Sequence, residues 1–244
     1  MKPVLTEHLR ELFLRPSYLP DGWPAAKYCH QVLREAGFTI REDEAGNTWA
    51  HRGRGPLLNA HLDTVQTPLD MRWLESPNEL YTDGLSFQGI NSMIGADDKC
   101  GLAIILALAE TTDLKFQVLL TAGEESGCLG SRNAEWSWLR KKDTPYALCL
   151  DRMNAGDCIL SYNGKELAPK EFFLNLRGIA EEVSWPFSPL EGKSMADAYY
   201  LADHLPCANL SVGYYNPHST RDYCVIDETL ATARFVAAVL GAKA

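Results

Sequence analysis

The sequence predicts an α/β fold, a three-layer α/β/α sandwich around a mostly parallel, mixed sheet, and two patterns carry that expectation. Strand-like and helix-like runs alternate along most of the chain. The runs FQVLLT (116–121) and YALCL (146–150) are apolar on both faces, as strands covered by helices on each side must be.

Residues 4–14 read as a short amphipathic helix and residues 23–36 as a second, stopped by Gly37 as its C-terminal cap. Strands Phe38–Glu42, Thr48–His51 and Leu57–His61 follow, with Ala45-Gly46-Asn47 turning between the first two. The stretch Pro68–Asn91 is irregular, with a small hairpin near Leu80–Phe87. Asp98 is the expected N-cap of an apolar helix, Cys100–Glu110. Then come a strand at Lys115–Thr121, a helix at Arg132–Arg140, and strands at Tyr146–Leu150 and Cys158–Tyr162. Helices Pro169–Arg177 and Met195–Asp203, strand Ala208–Val212 and helix Asp227–Gly241 complete the order. No repeat, low-complexity tract or linker divides the chain, so one catalytic domain over 1–244 is expected.

Composition narrows the function classes. A net charge of −9 with no basic stripe argues against a nucleic-acid partner. Seven cysteines, scattered and without a CxxC pair, exclude a disulfide framework and a thiolate zinc site and point to reduced, buried thiols. The segment MKPVLTEHLRELFLRP lacks an apolar export region. No apolar run approaches the ~20 residues of a membrane span. A cytoplasmic enzyme with no membrane partner is the expectation.

In open α/β sheets, ligands bind beyond the carboxyl ends of the strands. Five predicted strand ends and loops carry hydrophilic residues there: His61-Leu62-Asp63, Asp97-Asp98, Glu124-Glu125, Asp151 and His218. Each has an ordinary alternative as a surface pair, helix cap, solvated turn or loop histidine. Five such accidents in order at one rim are improbable. So many carboxylates with two imidazoles need cations to offset their repulsion. Oxygen and imidazole ligands suit zinc, and cobalt or manganese less exclusively. Positions i and i+2 of a strand point the same way, so Asp63 is placed to accept the second N–H of His61.

The segments HLDTV (61–65), GADDKCG (95–101), TAGEESG (121–127), the Asp ending LCLD (148–151) and NPHSTRD (216–222) resemble the metal-site motifs of the di-zinc exopeptidases and amidohydrolases. That superfamily includes peptidase T, acetylornithine deacetylase, glutamate carboxypeptidase and the bacterial leucyl aminopeptidases. Pro16-Ser17, LREAGF (33–38) and Glu44-Ala45-Gly46-Asn47 resemble its opening, so the likeness covers nearly the whole chain.

The resemblance implies two Zn2+ ions bridged by Asp97, with His218 and Glu125 completing one site and His61 and Asp151 the other. It implies Glu124 as general base, Asp63 as the orienting residue and a cis Asp97–Asp98 peptide bond. Asp151 and His218 lie too close in sequence to enclose the inserted lid domain of the larger members, so a lidless form is expected.

The expected activity is removal of residues from a peptide end, foremost as an aminopeptidase on short peptides. The alternatives are a deacylase of N-acyl amino acids and a non-catalytic metal-binding relative. Tyr199, Tyr200, Tyr215 and Asn216 are candidate oxyanion donors, and Arg221 a candidate for a substrate carboxylate. Oligomeric state stays open.

Overall fold

In the computed structural model the described residues are 1–17, 23–65, 79–90, 92–139, 143–193 and 195–241. Part of the stretch expected to be irregular, at 68–78 and 91, lies outside them. Strands β1 (Thr39–Glu42), β2 (Thr48–Arg52) and β3 (Leu57–His61) lead into a hairpin of β4 (Leu80–Thr82) and β5 (Ser86–Gly89). Strand β6 (Phe116–Thr121) is followed by β7 (Ala147–Arg152), β8 (Asp157–Tyr162), β9 (Lys165–Glu166) and β10 (Ser188–Gly192). Last come β11 (Cys207–Ser211), β12 (Tyr214–Tyr215) and β13 (Tyr223–Val225).

The main sheet runs β1-β2-β6-β3-β7-β11-β8-β10, with β9 paired to β8. Its centre is parallel: β3 lies between β6 and β7, and β11 continues beside β7. Antiparallel pairs β1–β2, β2–β6 and β11–β8 flank that centre, so the sheet is mixed and parallel chiefly where the rim matters. Every residue of β3, β6 and β11 is buried, as the doubly apolar runs require. A second sheet, β12-β13-β5-β4, is antiparallel.

On one face lies α3 (Ala96–Thr111), buried almost all round, packed on β3 and β7 and flanked by α1 (Lys2–Phe13), α2 (Pro24–Glu35) and α7 (Ile226–Val239). Helix α1 turns Leu5, Leu9, Leu12 and Phe13 inward, the i, i+4 and i, i+3 spacing of an amphipathic helix. Helix α5 (Lys170–Glu182) packs on α7. The short helices α4 (Leu129–Arg132) and α6 (Asp197–Leu201) pack together, with α6 on β7 and β11.

Two expectations need correcting. The helix at Arg132–Arg140 is instead α4 and a 3-10 turn at Trp136–Trp138, with Arg140 outside the described residues. Tertiary contacts override helix propensity there: the Trp136 ring stacks on His204 at 3.9 Å and meets Trp49 edge-on at 5.6 Å. Its Nε1 donates to the Ser131 carbonyl. Strand β10 was not expected, because its run of exposed residues containing Pro189 lacks alternation. Proline is tolerated at such an edge.

Buried polar side chains fix the loops at the rim. Asn47, fully buried in the β1–β2 turn, accepts from Ala122 N and donates to the Gly130 carbonyl, both at 3.0 Å. It thereby brackets the Glu124-Glu125 turn. A Cβ at Gly130 would fall 2.3 Å from both Ala122 O and Asn47 Oδ1, so only glycine admits this approach. Asp222 does the same for the segment before α3: its carboxylate accepts from Ile94 N at 3.0 Å and Ala96 N at 3.2 Å. The buried Lys99 donates Nζ to the Ile94 carbonyl.

Removing the Asp222 carboxylate strands two buried N–H groups. Asp222→Ala is expected to cost about 2–4 kcal/mol, roughly 5–10 °C in Tm for a chain of this size, by scanning calorimetry. Asp222→Asn, keeping one acceptor, loses less; an unmoved Tm in the alanine variant would remove Asp222 as an anchor.

A pH dependence follows from His30, whose Nε2 bonds Thr48 Oγ1 at 2.7 Å. Burial lowers its pKa below the ordinary 6.5. The unfolded chain then takes up a proton that the folded chain refuses. Stability from this group is present above pH 6.5 and falls as pH drops from 6.5 toward the lowered value. Tm measured from pH 7 to 5.5 should decline less steeply in His30→Gln; identical slopes would contradict this.

Candidate metal centre and active site

The carboxyl ends of β3, β6 and β7, the start of α3 and the β12–β13 loop meet at one rim. His61, the last residue of β3, is 1% exposed. Its Nε2 lies 3.0 Å from Asp97 Oδ1 and 3.6 Å from Asp151 Oδ1. From the β12–β13 loop, His218 brings Nε2 to 3.3 Å from Asp97 Oδ2 and 2.9 Å from Glu125 Oε1. Two potential ligand triads result, His61-Asp97-Asp151 and Asp97-Glu125-His218, the ligand atoms of each within 4.8 Å of one another. Asp97 belongs to both. All five residues anticipated as ligands are thus brought together, and Glu124 lines the same cavity.

Local backbone explains how. The Asp97–Asp98 peptide is cis, and both residues depart from helical φ/ψ at the head of α3. Asp98 caps the body of that helix, as expected, by accepting from Gly101 N at 3.1 Å, and its other oxygen accepts from His61 N at 3.0 Å. His218 sits at φ 59°, left-handed backbone that is uncommon outside glycine but that histidine tolerates better than most side chains.

Asp63 departs from its expected contact. The His61 Nδ1 partner is the Asp63 carbonyl at 2.8 Å, while the carboxylate stands 3.7 Å away. That carboxylate instead accepts from the main-chain N–H groups of Glu124 and Glu125, each at 3.1 Å. Asp63 therefore steadies both the imidazole and the two-glutamate turn.

The electrostatics show negative charge in excess. Burial, with the Asp151 carboxylate adding to it, pushes Glu124 up to about 9. Burial raises Asp151 to about 7, and lifts Asp98 and Asp197 above the usual carboxylate range. Asp97 goes the other way, because hydrogen bonds from His218 and His61 overcome its burial. Against its own burial, His61 is raised by Asp151 and Asp97. Asp97 and Glu125 carry His218 to about 10. Protons on these imidazoles occupy the place that cations would take. Glu125 Oε1 is buried and accepts no aligned hydrogen bond among the described residues, although His218 Nε2 is 2.9 Å away. A lone pair held in that way, in an oxygen-and-imidazole donor set, fits a divalent cation.

The remaining candidates fare differently. Tyr199, Tyr200, Tyr215, Asn216 and Arg221 do not line the cavity, and Tyr215 bonds Glu228 at 2.7 Å. Tyr214 does line it, buried and with its hydroxyl toward Asp97. The period-two alternation of a strand separates Tyr214 from Tyr215 once the register of β12 is known. All seven cysteines are free and buried. Cys128 borders the cavity with Sγ 3.6 Å from Glu124 Oε1. Among the described residues no helix is long and apolar enough to cross a membrane.

Solved structures share this architecture. An aminopeptidase PepT from Bacillus cereus ATCC 10987 matches with a TM-score of 0.84 at 16% identity, over 98% of each chain. A tripeptidase from Staphylococcus aureus subsp. aureus Mu50 matches at 0.81 and 14%, again over 98% of each. An aminoacylhistidine dipeptidase from Vibrio alginolyticus is 26% identical with a TM-score of 0.54, over 64% of this chain and 34% of that one. Residues 48–222 match Peptidase family M28, a span containing Asp63, Glu124 and all five clustered ligand candidates. That match covers most of the sequence and takes in every strand of the parallel centre, so the chain belongs to peptidase family M28.

Proposed function

We propose that this peptidase is a two-zinc aminopeptidase acting on short peptides, with Asp97 shared between the cations. His61 and Asp151 would complete one site, Glu125 and His218 the other. The observation that carries the reading is the pair of ligand triads with one carboxylate in common. The names of the neighbours, an aminopeptidase, a tripeptidase and a dipeptidase, support a substrate with a nearby chain end.

Cations bound there supply Lewis-acid polarisation of the scissile carbonyl and acidify the attacking water. The residues of the chain do the rest. Glu124, beside the cluster and fixed through its main-chain N–H by Asp63, is the group that accepts the proton of the water and delivers it to the leaving amine. Its raised pKa reflects burial and neighbouring carboxylates, chiefly Asp151. Neutralising those carboxylates returns it toward the ionised form that a base requires. The Tyr214 hydroxyl lines the cavity and lies toward Asp97, and it would turn from that carboxylate to steady the developing oxyanion. Asp63 keeps His61 and both glutamates in register.

Glu124→Gln should lower turnover of leucine p-nitroanilide roughly 10²–10⁴-fold while elemental analysis still finds the wild-type complement of metal. Undiminished turnover would remove Glu124 as the base. Chelation should abolish activity and zinc restore it. Assayed beside the nitroanilide, N-acetyl-leucine should be the poorer substrate; the reverse preference would make the protein a deacylase.

A further inference from the structure

The cavity at the metal centre extends beyond the ligands and has a volume of about 400 Å³. Its lining includes Met153, Ile159, Tyr162 and Met195, an apolar wall of the kind that binds a side chain. Two permanent cations join that wall, Arg152 and Lys193. They stand out at a site otherwise crowded with carboxylates.

Lys193 is unspent, and Arg152 is only partly spent, on the described residues of the protein. Arg152 follows Asp151 directly and uses only Nε, 3.3 Å from Asp157 Oδ2. Asp157 is itself shared with Asn154 Nδ2 at 3.4 Å. The terminal nitrogens of Arg152 make no hydrogen bond among the described residues, and its side chain is 31% exposed. Lys193 is exposed and has no ion pair among the described residues. A guanidinium fork and an ammonium converging on one apolar hollow form a receptor for a carboxylate.

The chain is built to hold them there. A Cβ on Gly192 would lie 1.9 Å from Cε1 of Tyr162. Glycine at that position therefore lets the end of β10 run against the ring and deliver Lys193 to the rim. The ring is fixed in turn, because Asn209 Nδ2 donates to the Tyr162 hydroxyl at 2.8 Å. The same Asn209 accepts from Asp151 N at 3.2 Å. One buried amide thus ties the Tyr162 wall of the hollow to the main chain of a proposed metal ligand.

We infer that this cavity recognises a substrate carboxylate about one residue's reach from the scissile carbonyl, with Lys193 and Arg152 as specificity residues, so that the preferred substrates are short peptides that present a carboxylate there. The inference rests on the aminopeptidase reading above for the placement of the scissile bond. Two sources supply such a carboxylate: an acidic amino-terminal side chain, or the free carboxyl end of a dipeptide.

The zinc-loaded protein and its Lys193→Glu variant would be compared on the p-nitroanilides of glutamate and leucine, and on Leu-Gly beside Leu-Gly amide. Lys193 is a surface residue, and circular dichroism would confirm that the variant folds. If the side chain is read, charge reversal lowers the glutamate-to-leucine ratio of kcat/KM by roughly tenfold or more, mainly through KM, and leaves the Leu-Gly to amide ratio unmoved. If the carboxyl end is read, the second ratio falls and the first does not. Neither ratio moving would overturn the inference.

A binding measurement separates this outcome from failure of the aminopeptidase reading. By calorimetry, L-glutamate should bind the wild type more tightly than L-leucine or Leu-Gly more tightly than its amide, with the advantage lost in Lys193→Glu. That result sustains the carboxylate site even if no nitroanilide is cleaved. Equal binding within both pairs rejects it whatever the turnover.

Discussion

Mutual repulsion of buried carboxylates is the constraint around which this molecule is arranged. Asp97, Asp98, Glu124, Glu125, Asp151 and Asp197 converge where the central strands end. Burial first, and the neighbouring carboxylates with it, push Glu124 up to about 9 and Asp151 to about 7. Asp97 escapes because it lies between two imidazoles. The surrounding architecture keeps this unfavourable concentration from relaxing: a parallel centre points the strand ends the same way, and Asn47 and Asp222 fasten the loops from behind. The stability lost to repulsion is available as affinity for whatever neutralises it.

How much of this was legible in the sequence depended on which kind of signal each residue sends. The central strands announce themselves because β6 and β7 must be apolar on both faces, and the bounds of β3 were read without error. The candidate ligands stand out at strand ends, at the head of α3 and in the β12–β13 loop, and the resemblance groups them into two sites. What escaped was whatever depends on contacts between distant segments. Asp63 was expected to use its carboxylate on His61, whereas the carbonyl does that and the carboxylate serves the next loop. Spacing shows that two residues share a face, not which of their oxygens is nearer. Tyr214 and Tyr215 look equivalent until a register places one inside. Asp222 and Asn209 carry no local pattern, because their partners lie far along the chain.

Secondary structure failed for the same reason at Trp136–Trp138. Local propensity favours a helix there, but the rings of Trp49 and His204 take hold of Trp136 and the chain yields. At β10 the opposite occurs: an unpromising sequence is recruited as an edge strand because β8 offers it a ladder. The Trp136–Trp138 correction lies beside α4, where helices are short, and the β10 correction lies at the edge of the main sheet. The face built on α3 was the better anticipated.

The hairpin that carries His218 belongs to the small sheet, whereas His61 and Asp151 end strands of the large one. No strand ladder joins the two sheets among the described residues. A pair of ions sharing Asp97, one held by His61 and the other by His218, would act as a rivet between two plates, locking the β12–β13 hairpin against the body of the molecule. Cofactor occupancy and mechanical rigidity would then be a single variable, and the emptied protein would loosen first along that seam.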